Sequence, residues 1–340
     1  MTLHVKPIHD KDTWNNFVQA QETSMYVQSW NYGEFNQADG GDFHVLGLYE
    51  DDKLIGGALF LEIRAKRGNF FYSPYSPILD WNSSEQIQIF FAEAKNLAAS
   101  KHMDFIRISP FVDDSEDLRQ RVKDAGFRKA PMHMIAETTW ILPLNQDEVD
   151  LLANMKQNHR NLIRRAKRDG VEIIKSDKLP DIKKVHDLLK TTAGRHHFVP
   201  FSLSYLENEF QAFEKANAAQ IYLAMHEGDL LAAAIVFFYG NTVVYKHGAS
   251  NMHKPKIPAS YAIQWAAIQD GMQRGMKYYN FWGIAPDDAS KKHPFYGITH
   301  FKKGFGGFKR DLLPAHDLPV TKKYWLNFIV ETIRRIKRGF

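Results

Sequence analysis

The chain has 340 residues, 44% of them apolar, and a formal net charge of +5; that length exceeds what one core usually fills, so two domains are expected. It contains no cysteine, which excludes disulfides and thiolate catalysis and removes the commonest structural zinc ligand. No stretch approaches the roughly 18 apolar residues of a membrane span, and the start, MTLHVKPIHDKDTW, lacks the apolar run of a secretion signal, so a cytoplasmic protein is expected.

Residues 12–21 predict a short helix with Trp14, Phe17 and Val18 inward, and Ser29 is placed to cap a second helix through Phe35. FHVLGLYE and KLIGGALFLEI, joined by Asp51-Asp52, read as a hairpin. A third strand over 70–73 runs into a Pro-rich loop. Ile87, Phe90, Phe91 and Ala94 mark a helix over Ser84 to Ala99, and Phe105 to Ile108 a buried strand. A short charged helix over 114–124 stops at Gly126, and Thr138 to Leu144 is a further strand.

Residues 151–168 read as one helix with Leu152, Met155, His159, Leu162, Ile163 and Ala166 on one face and Lys156, Arg160, Arg164, Arg165, Lys167 and Arg168 on the other. Asp169-Gly170 ends it, with glycine at the left-handed position. The opposed charge pairs of a solvated face are not apparent. Phosphate contact is therefore weighed beside plain surface exposure. IYLAMHEGDLLAAAIVFF then repeats the first hairpin in kind, with Glu227 and Asp229 at its turn. Strand 242–247, helix 258–274 and strand 278–281 follow in the order already met at 70–73, 84–99 and 105–108. The pattern predicts a tandem duplication of one α/β unit, matched by pattern and not by identity. The expected layout is a first domain over 1–145, a second over 146–320 and an amphipathic basic helix over 321–340.

Three segments, Lys156 to Asp169, Lys291 to Asp311 and Lys322 to Arg338, carry 18 of the 44 basic side chains, which favours an anionic partner: tRNA, nucleotide phosphate or membrane lipid. In the middle segment Phe295, Tyr296, Phe301, Phe305 and Phe308 alternate with the cations, and Gly304, Gly306 and Gly307 permit tight turns. It reads as a basic loop, suited to a polyanionic or acyl-bearing substrate, or else simply solvated between two strands. In the last segment Trp325, Phe328, Ile329, Ile333 and Ile336 form an apolar stripe. It would sit on an anionic membrane surface or, as favoured from sequence, dock on the protein's own body.

No metal site is expected: no HExxH-type spacing occurs, and adjacent His196 and His197 point to different faces of any regular element. Nor is there a G-x-S-x-G elbow, a Walker loop or a dinucleotide fingerprint, and no acetyl-coenzyme A loop is evident after a central strand. No cofactor is expected.

The residues Tyr279-Asn280-Phe281-Trp282-Gly283-Ile284 and Phe301-Lys302-Lys303-Gly304-Phe305-Gly306 resemble the Fem family (FemABX type). So do His247-Gly248-Ala249-Ser250 with Tyr261 and Gln264-Trp265, and Arg164 to Val171. This family comprises tRNA-dependent aminoacyl transferases that build the interpeptide bridge of peptidoglycan. The resemblance covers most of the chain, is specific in the C-terminal half and diffuse in the N-terminal half. It implies an α/β fold of two tandem acetyltransferase-like (GNAT-like) domains with mixed sheets and packed helices. The long heptad-patterned coiled-coil insertion of some relatives is missing. It implies aminoacyl-tRNA and a muropeptide, lipid-linked or UDP-linked, as partners, with peripheral association at the inner face of the membrane.

The transfer itself is mainly a positioning task, because the tRNA ester is already activated, and its oxyanion needs a cation or donor. Lys302 is the candidate for that role on the resemblance, with a plain phosphate contact as the alternative. Phe301, Tyr296, Lys303, Asn280, Trp282, Tyr261 and Trp30 are candidate substrate contacts; for Tyr261 and Trp30 core packing is the competing reading. Arg160, Arg164, Arg165 and Lys309, with Lys303, are candidate phosphate contacts. Asn280 stands where the family often has Asp, and Trp282 where Gly is common. Glu34 and Phe201 occupy the approximate places of a lysine and an arginine that hold a soluble precursor's phosphates, which leaves the lipid-linked precursor open. An acyl-coenzyme A N-acyltransferase and a non-catalytic tRNA- or membrane-binding relative remain the rival readings.

Overall fold

A computed structural model describes residues 2–66, 68–196, 199–251, 253–291, 293 and 295–338. In chain order the elements begin β1 (Leu3–Pro7), α1 (Lys11–Gln19), α2 (Trp30–Ala38), β2 (Phe43–Glu50), β3 (Lys53–Ala65), β4 (Gly68–Tyr75), α3 (Ser84–Ser100), β5 (Phe105–Pro110), α4 (Glu116–Asp124) and β6 (Arg128–Lys129). They continue β7 (Thr138–Pro143), α5 (Glu148–Asn154), α6 (Gln157–Arg168), β8 (Glu172–Ser176), α7 (Ile182–His196), α8 (Leu203–Glu214), β9 (Ala219–His226), β10 (Asp229–Tyr239) and β11 (Thr242–Ser250). Last come α9 (Ala259–Gln273), β12 (Tyr278–Gly283), α10 (Tyr296–Lys303), β13 (Phe308–Asp311), β14 (His316–Pro319) and α11 (Tyr324–Arg338).

The chain forms two compact units: Met1–Ala20, Val27–Glu137 and Asp311–Phe340 make the first, Gln21–Tyr26 and Thr138–Arg310 the second. The sequence reading carried the second domain through residue 320 and set the C-terminal helix apart. Instead the chain returns to the first unit at Asp311, because β14 pairs with β5 and β6.

Each unit holds a seven-stranded mixed sheet, β1-β2-β3-β4-β5-β14-β6 in the first and β8-β9-β10-β11-β12-β7-β13 in the second. The two orders correspond strand for strand. The hairpin turns carry Asp51 at φ 50° and Glu227 at φ 51°, so the turn acids of the sequence occupy left-handed positions in both repeats. Each sheet has a parallel contact, β4 with β5 and β11 with β12, bridged by a helix, α3 or α9. Each helix buries an apolar side against its own sheet. Ile87, Phe90, Phe91, Ala94 and Ala98 lie in the first core, and Ala259, Ile263, Ala267 and Ile268 in the second. Ser29 caps α2 as expected, its side chain accepting from Tyr32 N at 3.2 Å.

Three local expectations change. The helix expected over 151–168 is broken into α5 and α6, because Lys156 is extended (ψ 138°) and gives its N–H to Gly304 O at 2.9 Å. The basic loop after Phe295 is helical over Tyr296–Lys303, turning Lys302 inward. The last helix docks by a mixed side: Tyr324 and Asn327 are buried, Phe328, expected in the stripe, is half-buried beside Tyr324, and Glu331 accepts from Arg107 Nη2 at 2.7 Å. Its apolar residues Trp325, Leu326, Ile329, Ile333 and Ile336 are exposed. The cause is Arg107, a fully buried cation on β5 that takes both Asp317 (2.7 and 2.8 Å) and Glu331. A buried charge must be paired, and this demand outweighs covering the stripe.

Candidate active site

The parallel ladder between β11 and β12 covers three positions, Thr242↔Tyr278, Val243↔Tyr279 and Val244↔Asn280, and then opens. Two features open it. On β12 the Asn280 side chain accepts from Trp282 N at 2.8 Å and from Thr139 Oγ1 at 2.6 Å. An amide oxygen that binds the backbone two residues on substitutes for a ladder bond. Trp282 takes φ +68°, and the β12–β7 register shifts between Asn280 and Gly283. On β11 the register with β10 shifts at Ile235/Val236, so Lys246 is the extra residue of a bulge, a device that re-aims side chains.

Lys246 Nζ stands 4.1 Å from the centre of the Trp282 ring. Burial lowers its pKa, with Glu209 pulling the other way. Glu209 is fully buried and accepts from Tyr26 Oη at 2.9 Å, while His247 Nε2 lies 2.6 Å from its other oxygen. The Glu209 pKa is lowered: desolvation raises it, and the charge and hydrogen bond of His247 overcome that. Sequence reasoning missed Lys246, Glu209 and Tyr26. The available signal was a lysine interrupting the apolar strand VVYKHGAS.

Lys302 faces the same opening. It is 5% exposed, and its Nζ donates to Gly283 O at 2.6 Å. Desolvation lowers its pKa to about 7. No carboxylate pairs with it among the described residues. Helix α10 is held to the strand end by Thr299, whose Oγ1 accepts from Ala285 N at 2.9 Å and donates to Phe295 O at 2.6 Å.

Behind Lys302 is a cluster of rings. Phe301 and Tyr261 have centroids 5.0 Å apart, His159 and Tyr261 5.0 Å, and His159 and Phe305 4.9 Å. His159 Nε2 donates to Phe301 O at 2.9 Å, and burial lowers the pKa of its ring. A Cβ on Gly304 would stand 1.9 Å from that ring, and one on Gly307, at φ +90°, 2.2 Å from Ile141 O. The glycines of FKKGFGG are thus required by close approach and by a left-handed turn. A cavity of about 260 Å³ lies on the Pro255–Tyr261 side of the unit, with Lys254 and Lys256 in its wall. It shares Tyr261 with the ring cluster but does not include Lys302. Lys302 and Lys246, whose pKa values burial lowers, lie at the strand opening and not in that cavity, so the opening is the candidate site.

The other expected residues divide. Tyr296 is half-buried at the start of α10, with His300 edge-on at 5.8 Å. Asn280 is fully buried and builds the strand end, so its donors and acceptors are turned inward and not toward a ligand. Trp30 belongs to the first unit, where it packs edge-on to Phe43 at 5.1 Å. Arg160 gives Nη1 to the carbonyls of Leu152, Ala153 and Met155, at 3.3, 2.8 and 2.7 Å, closing the end of α5. Arg165 pairs with Asp169 at 2.9 Å and Arg168 with the same carboxylate at 3.5 Å, which corrects the reading of α6 as a face without opposed pairs. Lys303 and Lys309 both bind Asp287, at 3.2 and 2.5 Å, and hold its pKa down. Arg164 is exposed, with no ion pair or hydrogen bond among the described residues. Of the two histidines considered for a metal, His197 lies outside the described residues. Asp42, His44 and Glu62 bring ligand atoms within 4.8 Å of one another, but Glu62 is already bound to His44 at 2.8 Å and Arg64 at 2.5 Å.

Comparison with known proteins places the fold and the family. The FemAB family model matches residues 10–124, 122–229 and 214–332. The chain is 22% identical over 413 aligned residues to aminoacyltransferase FemA of Staphylococcus epidermidis, spanning 96% of this chain and 98% of that protein. It is 20% identical to the lipid II:glycine glycyltransferase of Staphylococcus aureus over 88% of this chain and 89% of that one. The FemX crystal structure superposes with a TM-score of 0.85 at 18% identity, over 96% of this chain and all of that one. A tandem GNAT protein from the clavulanic acid biosynthesis pathway gives 0.55 at 9% identity, over 94% and 99%. The fold is therefore the expected pair of GNAT-like α/β domains. By sequence, the chain belongs to the FemAB family.

Proposed function

We propose that this chain is an aminoacyltransferase that moves an amino acid from aminoacyl-tRNA to an amine on the stem peptide of a peptidoglycan precursor. The reaction class is supported by relatives named aminoacyltransferase FemA and lipid II:glycine glycyltransferase. The observation that carries the reading is Lys302: a buried amine bound to a single carbonyl, Gly283 O, at the open end of a parallel ladder.

In the reaction the acceptor nitrogen bonds to the ester carbonyl carbon and the ester C–O bond breaks. The proton shed by the amine ends on the departing ribose hydroxyl. Lys302 supports the oxyanion that forms between these events. A desolvated cation acts there with little screening. The oxyanion also raises the proton affinity of Lys302, holding it charged when charge is needed. Phe301 and Tyr296 shape the acceptor groove beside it. Arg164 is available to a tRNA phosphate as it stands, whereas Lys303 and Lys309 must first leave Asp287. Glu34, ion-paired to Lys11 at 2.7 Å, offers no cation to a soluble precursor's phosphates, which favours the lipid-linked acceptor. That acceptor sets the reaction at the inner face of the membrane, with the protein peripherally associated.

The test supplies purified protein with charged radiolabelled tRNA, or with acyl-coenzyme A, and with lipid-linked or UDP-linked muropeptide. Transfer from tRNA alone is expected. Transfer from the thioester alone would replace the donor, and tight tRNA binding without transfer would remove the enzymatic reading.

A further inference from the structure

We infer that the outward side of α11 is a docking surface for an anionic lipid bilayer. The inference deepens the membrane contact proposed above and rests on that reading. Thirteen large hydrophobic residues are exposed among the described residues, and five of them, Trp325, Leu326, Ile329, Ile333 and Ile336, lie on this one helix. At about 100° per residue the five fall within an arc of about 100°. Tyr324, Asn327 and Glu331, which hold the helix to its unit, centre about 180° away. The helix is thus tethered by one side and presents an apolar stripe on the other. The tether is specific: Glu331 is bound to buried Arg107 at 2.7 Å, and Asn327 is buried.

Charge selects the occupant. On the same wheel Lys337 borders the stripe, Arg334 and Arg335 flank it about 80° beyond its two edges, and Lys322 sits just before the helix. An apolar arc of Trp, Leu and Ile between cations matches the boundary between acyl chains and anionic headgroups. A second copy seated on the same stripe would bring these cations toward their own counterparts, which opposes pairing. A nucleic acid would meet the cations but leave five apolar side chains without a role. No helix of the described residues is long and apolar enough to cross a membrane, so the contact lies in the interface plane.

The experiment floats the full chain with phosphatidylcholine vesicles, with and without phosphatidylglycerol, and follows it by gel. Flotation with the anionic vesicles, weakened by salt, is expected. Ile329→Glu with Ile333→Glu should lower partitioning more than about tenfold, and Lys337→Gln by roughly fivefold. Ile336→Glu, at a residue 71% exposed, gives a second apolar test with little packing to lose. Circular dichroism melting verifies folding of each variant. Transfer to a lipid-free acceptor should be unchanged in the Ile329/Ile333 variant, which separates the failure of docking from the failure of the reaction. Wild type left unbound by anionic vesicles would overturn the inference, as would glutamate variants that float equally well. So would a dimer in light scattering that these variants dissolve while no flotation is seen.

Discussion

The two parallel ladders of this chain begin alike and end differently. In the first unit β4 and β5 stay paired over six positions, from Phe70↔Phe105 to Tyr75↔Pro110. In the second, β11 and β12 part after three. Both units bury a cation close to the ladder. Arg107 in the first is met by two carboxylates, Asp317 and Glu331. Lys302 in the second is met by one carbonyl. A paired guanidinium is a structural element, since its charge is spent inside the protein. A desolvated lysine without a carboxylate keeps its charge available and its proton loosely held. On the proposed reading, the contrast lets one duplicated architecture carry a fixed module and a reactive one.

The largest expected effect breaks the fixed side. Arg107→Met strands Asp317 in the interior and should cost about 3–5 kcal/mol of stability, read by urea unfolding. Turnover per folded molecule should hardly change. On the reactive side Lys302→Ala should lower turnover by about 10²–10³ while tRNA affinity changes little; unchanged turnover would remove Lys302 from the mechanism. Gly304→Ala drives a methyl into the His159 ring and should cost about 1–3 kcal/mol, displacing α10 and hence Lys302. A Gly304→Ala protein as stable as wild type would contradict that packing.

A pH slope sharpens the comparison further. Folded Lys302 loses its proton near pH 7 and an unfolded lysine near 10.5. Between these values the unfolded chain holds more protons, so stability rises with pH across that window, and below it the burial penalty is present in full. Lys302→Met should flatten the rise seen in denaturant midpoints. An identical slope in both proteins would show that Lys302 titrates normally.

The duplicated frame was legible because period-two strands and turn acids recur in order. The last strand was not: β14 returns to the first sheet through partners more than 180 residues earlier, such as His316↔Ile108, and nothing local announces such a pairing. Lys302 was singled out as a candidate through Phe301-Lys302 and its likeness to the family. Its burial was not foreseen, because a run rich in Lys and Gly reads as a loop, whereas Thr299 and Gly283 draw α10 inward. Arg160 reads as a phosphate ligand until the break at Lys156 gives it carbonyls to cap. The α11 stripe was assigned to the body on hydrophobicity alone. Pairing of Arg107 with Glu331 decides the rotation of that helix, and the two lie 224 residues apart. Glu209 and His247 meet across 38 residues, with no signal in either segment.

The most direct test is the titration of Lys302 in the intact protein, followed by the ¹³Cε resonance that disappears in Lys302→Met. The account predicts a midpoint near 7. A midpoint near 10.5, the ordinary lysine value, would mean a solvated or ion-paired amine and would contradict the distinction between the two units.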